Sequence, residues 1–346
     1  MTTNHRSNEY QNPSSLSFQE VLEAMLNESK PFHPRYLYRL SDLEDHELAQ
    51  LESTWMQVQP RRRQAILEDI ETLGETNYTL SFEEFCRFTA QDSDPHVREL
   101  SVRVLWEYDN PKLIPLYLNL LSNDSSPDVR AVAAAALGRH VYLGETEDLS
   151  QKLLDEIVDR LLQVYRSSEP QVVRCRALES LGFSSRKEIA NLIENAYHSG
   201  NQEWIASSLV AMSRSAQNRW EPHIIEMLTS EVDEIRFEAV RAAGELELKK
   251  ARPLLLEMLD EPDSDIRMAV IWSLSQIGGE GVEDTLINLY EVTEDEEEAE
   301  FIDAALDNLS FTEGMQLYSL FEYSSDENDE DDEEWEMFYD LDEDDE

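Results

Sequence analysis

The sequence predicts an all-α fold, an α-solenoid in which about eight antiparallel helix pairs stack into a superhelix, and three observations carry that expectation. An aliphatic residue followed by arginine recurs as Val97-Arg98, Val129-Arg130, Val173-Arg174, Ile235-Arg236 and Ile266-Arg267, each with a small or aliphatic residue eight places after the first. Weaker copies anchor on Ala65, Trp204 and Phe301, so successive anchors lie 32, 32, 44, 31, 31, 31 and 35 residues apart. That period belongs to stacked helical units rather than to one globular core. Composition agrees, since 41% of the chain is hydrophobic while its 10 glycines and 12 prolines suit helices joined by short turns. Proline placement is the third observation: Ser93-Asp94-Pro95, Ser125-Ser126-Pro127, Glu169-Pro170 and Glu261-Pro262 set proline in a turn or at a first helical position, where its missing N–H costs little.

Taken in order, residues 1–40 read as a disordered lead and an N-terminal capping helix. Ser17-Phe18-Gln19-Glu20 has the spacing of a capping box, and Phe18, Val21, Leu22, Met25 and Leu26 follow on one helical face before Pro31 and Pro34 break it. The helix is expected to cover the apolar face of the first repeat. The repeat array is expected over 41–321 as one elongated domain. First helices of each pair fall near 42–58, 82–91, 112–122, 151–167, 187–198, 220–229, 251–260 and 282–292. Second helices, which carry the anchors, fall near 63–74, 95–106, 128–141, 171–182, 203–213, 234–246, 265–277 and 297–309, and a ninth first helix over 313–321 closes the array.

Two features inside the array call for a local reading. Gly74, Gly138, Gly182 and Gly244 sit at or just after the eighth position, where glycine either ends a helix or lets its neighbour approach closely. The 44-residue spacing between Val129 and Val173 is the one large insertion, holding Tyr142-Leu143-Gly144 and an acidic run, and predicts a protruding loop or extra turn. Cys86 and Cys175, the only cysteines, fall on apolar helix faces and read as buried thiols.

These residues resemble the HEAT repeat, in particular the short HEAT-like form named after phycocyanobilin lyases. Its pattern places an aspartate five residues before the aliphatic-Arg pair. Asp92 and Asp124 match it, Glu261 is a near match, and Ser168 and Ser230 depart from it. The resemblance covers roughly 41–321 and implies that Asp92, Arg98, Asp124, Arg130, Arg174, Arg236 and Arg267 form a hydrogen-bonded ladder between repeats, for which guanidinium geometry is suited. The alternative is a row of arginines that holds an anion.

The resemblance fixes a fold rather than a function, because such solenoids serve as scaffolds, transport receptors, lyase subunits and enzymes alike. Deoxyhypusine hydroxylases share it and draw metal ligands from repeated His-Glu dipeptides. Here His46-Glu47 is the one such pair, the other histidines are dispersed, and no catalytic, metal or cofactor residue is assigned. A bilin lyase-like subunit stays open, since Trp55, Trp106, Trp204, Trp220 and Trp272 could line a chromophore groove; aromatics at helical spacing are more often packing.

Charge narrows the partner. The chain holds 28 Lys and Arg against 75 Asp and Glu for a net −47, and after Arg267 no basic residue follows. Nucleic acid is therefore not an expected ligand, although a DNA-mimic role fits the charge. The basic clusters Arg61-Arg62-Arg63 and Lys249-Lys250-Arg252 are expected to pair with nearby acids. The longest apolar run, 131–137, is far below the roughly 20 residues of a membrane helix, and the polar N-terminus lacks an apolar signal core, so a cytoplasmic location is expected.

The segment 322–346 is expected to be a disordered acidic tail, since 16 of its 25 residues are acidic. Within it Trp335, Phe338 and Leu341 stand at i, i+3 and i+6, a spacing that would present all three on one side of a helix formed on contact. The reading that emerges is a non-enzymatic adaptor, scaffold or chaperone-like module whose acidic C-terminal half and tail engage a basic protein partner. A tail that acts only to keep the protein dispersed is the competing reading.

Overall fold

The computed structural model describes residues 16–146 and 148–312. It divides into two units, one ending at His198 and one beginning at Ser199, where the sequence suggested a single uninterrupted array. The predicted closing helix over 313–321 and the tail lie outside the described residues.

The first unit opens with α1 (Phe18–Leu26), started by the predicted capping box: Ser17 Oγ accepts from the Glu20 amide while Glu20 accepts from the Ser17 amide at 2.9 Å. Phe18, Val21, Leu22 and Met25 are buried, but Leu26 is exposed, because the helix ends there and Arg62 reaches across its end to the Asn27 and Lys30 carbonyls. A 3-10 helix (Pro34–Leu40) leads into four pairs. These are α2 (Asp45–Trp55) with α3 (Pro60–Thr76), α4 (Glu83–Thr89) with α5 (Pro95–Leu105), α6 (Ile114–Asn123) with α7 (Pro127–Glu145), and α8 (Gln151–Tyr165) with α9 (Gln171–Leu181). Helix α10 (Lys187–Tyr197) follows and packs on α9.

The second unit holds α11 (Gln202–Arg214), then α12 (Glu221–Met227) with α13 (Asp233–Glu245), α14 (Arg252–Glu257) with α15 (Ser264–Ile277), and α16 (Val282–Val292) with a last helix, α17, over 296–312. Within each unit second helices pack on their first helices, as α5 does on α4, α7 on α6, α9 on α8, α13 on α12 and α15 on α14, and on neighbouring second helices, as α5 does on α3 and α7 and α13 does on α11 and α15. The anchors explain why. Val97, Val129, Val173, Ile235 and Ile266 are all buried, and each is followed at helical spacing by further buried aliphatics such as Leu105, Leu137 and Leu274. Pro60, Pro95 and Pro127 occupy the first turn of α3, α5 and α7.

The insertion after Val129 is resolved differently from the expected protrusion. Its residues extend α7 to Glu145 and lengthen α8, because Tyr142, Gly144 and Glu145 all find partners: the Tyr142 ring meets Phe183 edge-on at 5.6 Å, Leu154 covers Gly144, and Glu145 Oε1 accepts from the Ser185 amide at 2.8 Å. The glycines split by role. Gly138 and Gly244 lie inside α7 and α13 at close helix contacts, Gly182 caps α9, and Gly74 lies inside α3 with open space around it. Both cysteines are buried, and burial pushes the Cys86 thiol well above its usual range.

Candidate functional site

The arginine positions form a regular series of contacts. In four repeats Nη1 donates to the carbonyl six residues back: Arg98 to Asp92 at 2.8 Å, Arg130 to Asp124 at 2.7 Å, Arg236 to Ser230 at 2.7 Å and Arg267 to Glu261 at 2.8 Å. The rest of each guanidinium reaches a carboxylate in the turn of the following repeat or, for Arg267, at the start of its last helix. Arg98 binds both oxygens of Asp124 at 2.7 Å, Arg130 meets Glu169 at 2.9 Å, Arg236 meets Glu261 at 3.1 and 3.2 Å, and Arg267 meets Glu298 at 2.6 Å. Arg174 Nε donates to the Tyr165 carbonyl at 2.9 Å. Asp92, Asp124 and Glu261 thus each have two jobs, the carbonyl serving the arginine of its own repeat and the carboxylate an arginine of the preceding one.

Departures from the aspartate pattern follow from this geometry. Arg130 takes Glu169, one place after Ser168. Ser230 needs no carboxylate, because the preceding repeat carries Ile205 in the arginine slot. These arginines retain only 11, 13, 15 and 25% side-chain exposure at Arg98, Arg130, Arg236 and Arg267. They are spent on the turns and do not present a cationic row to an anion.

Sequence reasoning missed the start of the series. Asp92 accepts from Arg63 Nη1 at 2.7 and 2.5 Å, from the Trp55 indole N–H at 2.6 Å and from the Asp94 amide at 2.7 Å. Arg63 lies outside the arginine slot of its repeat, three residues before Ile66, but the two positions share a helix face, and that i, i+3 relation was the available signal. Of the other basic residues thought to pair with acids, Lys250 does meet Glu221 at 2.8 Å, whereas Arg62 and Arg252 bind backbone carbonyls.

An apolar surface stays open in the second unit. A groove of about 890 Å³ runs over α13 and α15 to α17. Phe237, Met268, Ala269, Trp272 and Phe301 supply its apolar lining, and Asp233, Glu234, Glu245, Asp263 and Asp265 its rim, with Arg241 the one cation in the lining. Trp272 stays 42% exposed, its ring 6.2 Å from that of Phe301. Of the other tryptophans, Trp55 and Trp220 are core, with Trp220 Nε1 bonded to Ser215 Oγ, while Trp106 is exposed in the first unit.

A family model for HEAT repeats matches residues 83–157 and 221–310. This is a HEAT-repeat protein. Among solved structures, the HEAT-repeat chain is similar to E. coli YibA, with 17% identity, TM-score 0.40 and coverage of 82% of this chain and 99% of that one. It is similar also to the complex of CpcE and CpcF of phycocyanin lyase from Nostoc sp. PCC7120, with 19% identity, TM-score 0.44 and coverage of 66% and 94%. Human deoxyhypusine hydroxylase matches with 15% identity, TM-score 0.34 and coverage of 75% and 95%. Likeness at this level bears on no functional statement. No curated protein matches the sequence.

The HEAT repeats of the first unit carry no aromatic side chain at the position of Trp272. Five places after the repeat arginine, where α15 carries Trp272, α5 carries Arg103, bound to Glu71 at 2.8 Å, and α7 carries Ala135. Nine places after it, α7 carries Arg139, bound to both oxygens of Asp109 at 2.6 and 2.8 Å. The Arg139 guanidinium holds the Asp109 carboxyl below the usual carboxylate range. His46 lies exposed beside Glu44, and Glu47 is taken up by Arg39 and by the capping contact of α2. Among the described residues no helix is long and apolar enough to cross a membrane. Trp335, Phe338 and Leu341 lie outside the described residues.

Proposed function

We propose that this HEAT-repeat protein is a non-enzymatic interaction module, an adaptor, scaffold or chaperone-like protein that engages a basic protein partner through its acidic C-terminal half and tail. The observation that supports this most is the division of labour along the second helices. The repeat arginines are spent inside the stack, so the side chains left facing outward on α13 and α15 are apolar residues rimmed by carboxylates. Such a surface suits a protein segment with basic flanks and repels a phosphate backbone. The tail triplet Trp335, Phe338 and Leu341 offers a second contact of the same character, apolar side chains ringed by acids.

The experiment is affinity capture from lysate at low and high ionic strength, with the full chain compared against one ending at Tyr323. A partner held by the full chain, weakened by salt and lost with the tail assigns recognition to Trp335, Phe338 and Leu341. A partner held by both forms and weakened by salt assigns it to the repeats. A partner insensitive to salt refutes the electrostatic part of the reading, and no partner under either condition refutes the whole.

A further inference from the structure

We infer that the groove over α13, α15 and α17 receives a basic amphipathic protein segment, its leucine or aromatic side chain seated on Trp272 and Phe237 and its flanking lysines or arginines meeting Glu234 and Asp265. The inference rests on the protein-binding reading and gives it a site.

Trp272 is the apolar centre of the groove. It lies in the middle of a second helix, where such positions in the first unit are filled by alanine or closed by an ion pair, yet its indole is 42% exposed above Met268 and beside Phe301. An occupant that covers this surface gains the hydrophobic term the free protein forgoes, about 25 cal/mol for each Å² removed from water. Rigid aromatics in a concave site are the usual anchors of recognition.

The charge decides the sign of the occupant. Three rim carboxylates are already engaged: Asp233 with Arg236 at 2.8 Å, Glu245 with Arg241 at 3.2 Å, and Asp263 with the Asp265 and Ile266 amides at the start of α15. Arg241, the cation of the lining, is thereby neutralised, and its guanidinium lies 5.9 Å from the Phe237 ring centroid, a cation already resting on an aromatic of this groove. Glu234 and Asp265 are different. Both are exposed, and among the described residues neither takes part in an ion pair. An acidic occupant, the chain's own tail included, would be repelled from this rim.

Their spacing matches a peptide. Each stands two residues before the repeat arginine, so they occupy the same slot on packed neighbouring helices, whose axes are about 8–10 Å apart. Side chains three residues apart on a segment in the polyproline II conformation share a face and stand about 9 Å apart. A segment with cations at that interval and an apolar residue between them satisfies both carboxylates at once.

The test is fluorescence anisotropy of the full-length protein with a labelled synthetic peptide in which lysines flank a central Leu-Phe pair, alongside its counterpart with glutamates in place of the lysines. The lysine peptide is expected to bind and the glutamate peptide to fail. Trp272→Ser and the double variant Glu234→Gln/Asp265→Asn are each expected to weaken binding about tenfold or more, the effect of losing an interface anchor. Trp106→Ser, an equally exposed tryptophan off the groove, is expected to leave it unchanged, and thermal melts check that all variants fold. Absence of lysine-peptide binding, equal binding of the glutamate peptide, or an equal loss in Trp106→Ser overturns the inference. If the peptide fails while affinity capture still returns a salt-sensitive partner, the groove assignment falls and the interaction reading stands.

Discussion

Ser180 is packed against Gly138 so closely that its Oγ, which donates to the Ala134 carbonyl at 2.8 Å, would lie 2.7 Å from a Cβ placed on the glycine. The second unit repeats the arrangement in the same register: Ser273 donates to the Val240 carbonyl at 2.9 Å, and a Cβ on Gly244 would meet its Oγ at 2.6 Å and its Cα at 2.8 Å. In each case the glycine stands eight places after one repeat arginine and the serine six places after the next. The serine hydroxyl bonds directly to its neighbour's backbone, and this is possible only where the facing residue lacks a side chain.

Alanine substitutions separate this contact from intrinsic helix preference. Gly74 sits inside α3 with no atom within 4 Å of an added Cβ, so Gly74→Ala is expected to stabilise the protein by roughly 0.5–1 kcal/mol. Gly138→Ala and Gly244→Ala gain the same preference but must push two helices apart, for a net loss of about 1–3 kcal/mol. Urea denaturation of the three variants is the measurement. A stabilised Gly244→Ala would mean the helix contact is looser than described.

The Asp92 cluster gives the largest expected single-residue effect. The Asp92 side chain is fully buried and that of Arg63 5% exposed, so Asp92→Asn leaves the Arg63 cation without its counter-charge. Removing one partner of a buried pair costs about 3–5 kcal/mol, and most of that is the orphaned charge. The double variant Arg63→Met/Asp92→Asn is therefore expected to be more stable than Asp92→Asn alone, and chemical denaturation of both would show it. Equal stability would place the contribution of Asp92 in its bonds to Trp55 and Asp94 instead.

Much of this was legible in the sequence, and the lapses have physical reasons. The anchors gave the helices to within a few residues because buried aliphatics at helical spacing and prolines in the turns report one periodicity. The glycine–serine contacts were half visible: the glycines stood out, but their serine partners lie 42 and 29 residues further on and show no local pattern. The insertion after Val129 was misjudged as a protrusion because its acids suggested solvent, whereas Tyr142 and Glu145 found partners on the next repeat. The groove was invisible to pattern reading, since Trp272 and Phe237 stand at helical spacing like any core residue, and exposure depends on what the neighbouring helices leave uncovered.

Acid should unlock the series of arginine contacts. Burial pushes the Asp124 carboxyl upward, but the Arg98 guanidinium and the Ser126 amide outweigh it and hold it below the usual range. A carboxylate whose folded pKa is depressed contributes stability that is fully present above its unfolded value, about 3.9 for aspartate, and is lost as pH falls through the folded value. The stability difference between the natural chain and Asp124→Asn is expected to be constant from pH 7 to 5, to begin falling as pH approaches the unfolded value of about 3.9, and to be lost only once pH drops below the lower folded value. Comparing the two chains cancels the titration of all other carboxylates. A difference already gone at pH 5 would show that Arg98 does not depress Asp124.

Salt should have the opposite sign from what a protein rich in ion pairs suggests. Each charged pair in the arginine series is at least partly buried, and buried pairs are screened little. The exposed charge is overwhelmingly negative, with a net of −47 over the chain, and self-repulsion of that size destabilises the compact state. Raising sodium chloride from low to near-molar concentration shortens the Debye length from about 30 Å to about 3 Å, which relieves the repulsion and leaves the series largely intact. The melting temperature is therefore expected to rise with salt, even as binding of a basic partner weakens. A melting temperature that falls with salt would mean that surface ion pairs such as Arg103 with Glu71 and Arg186 with Asp159 contribute more than the repulsion takes away.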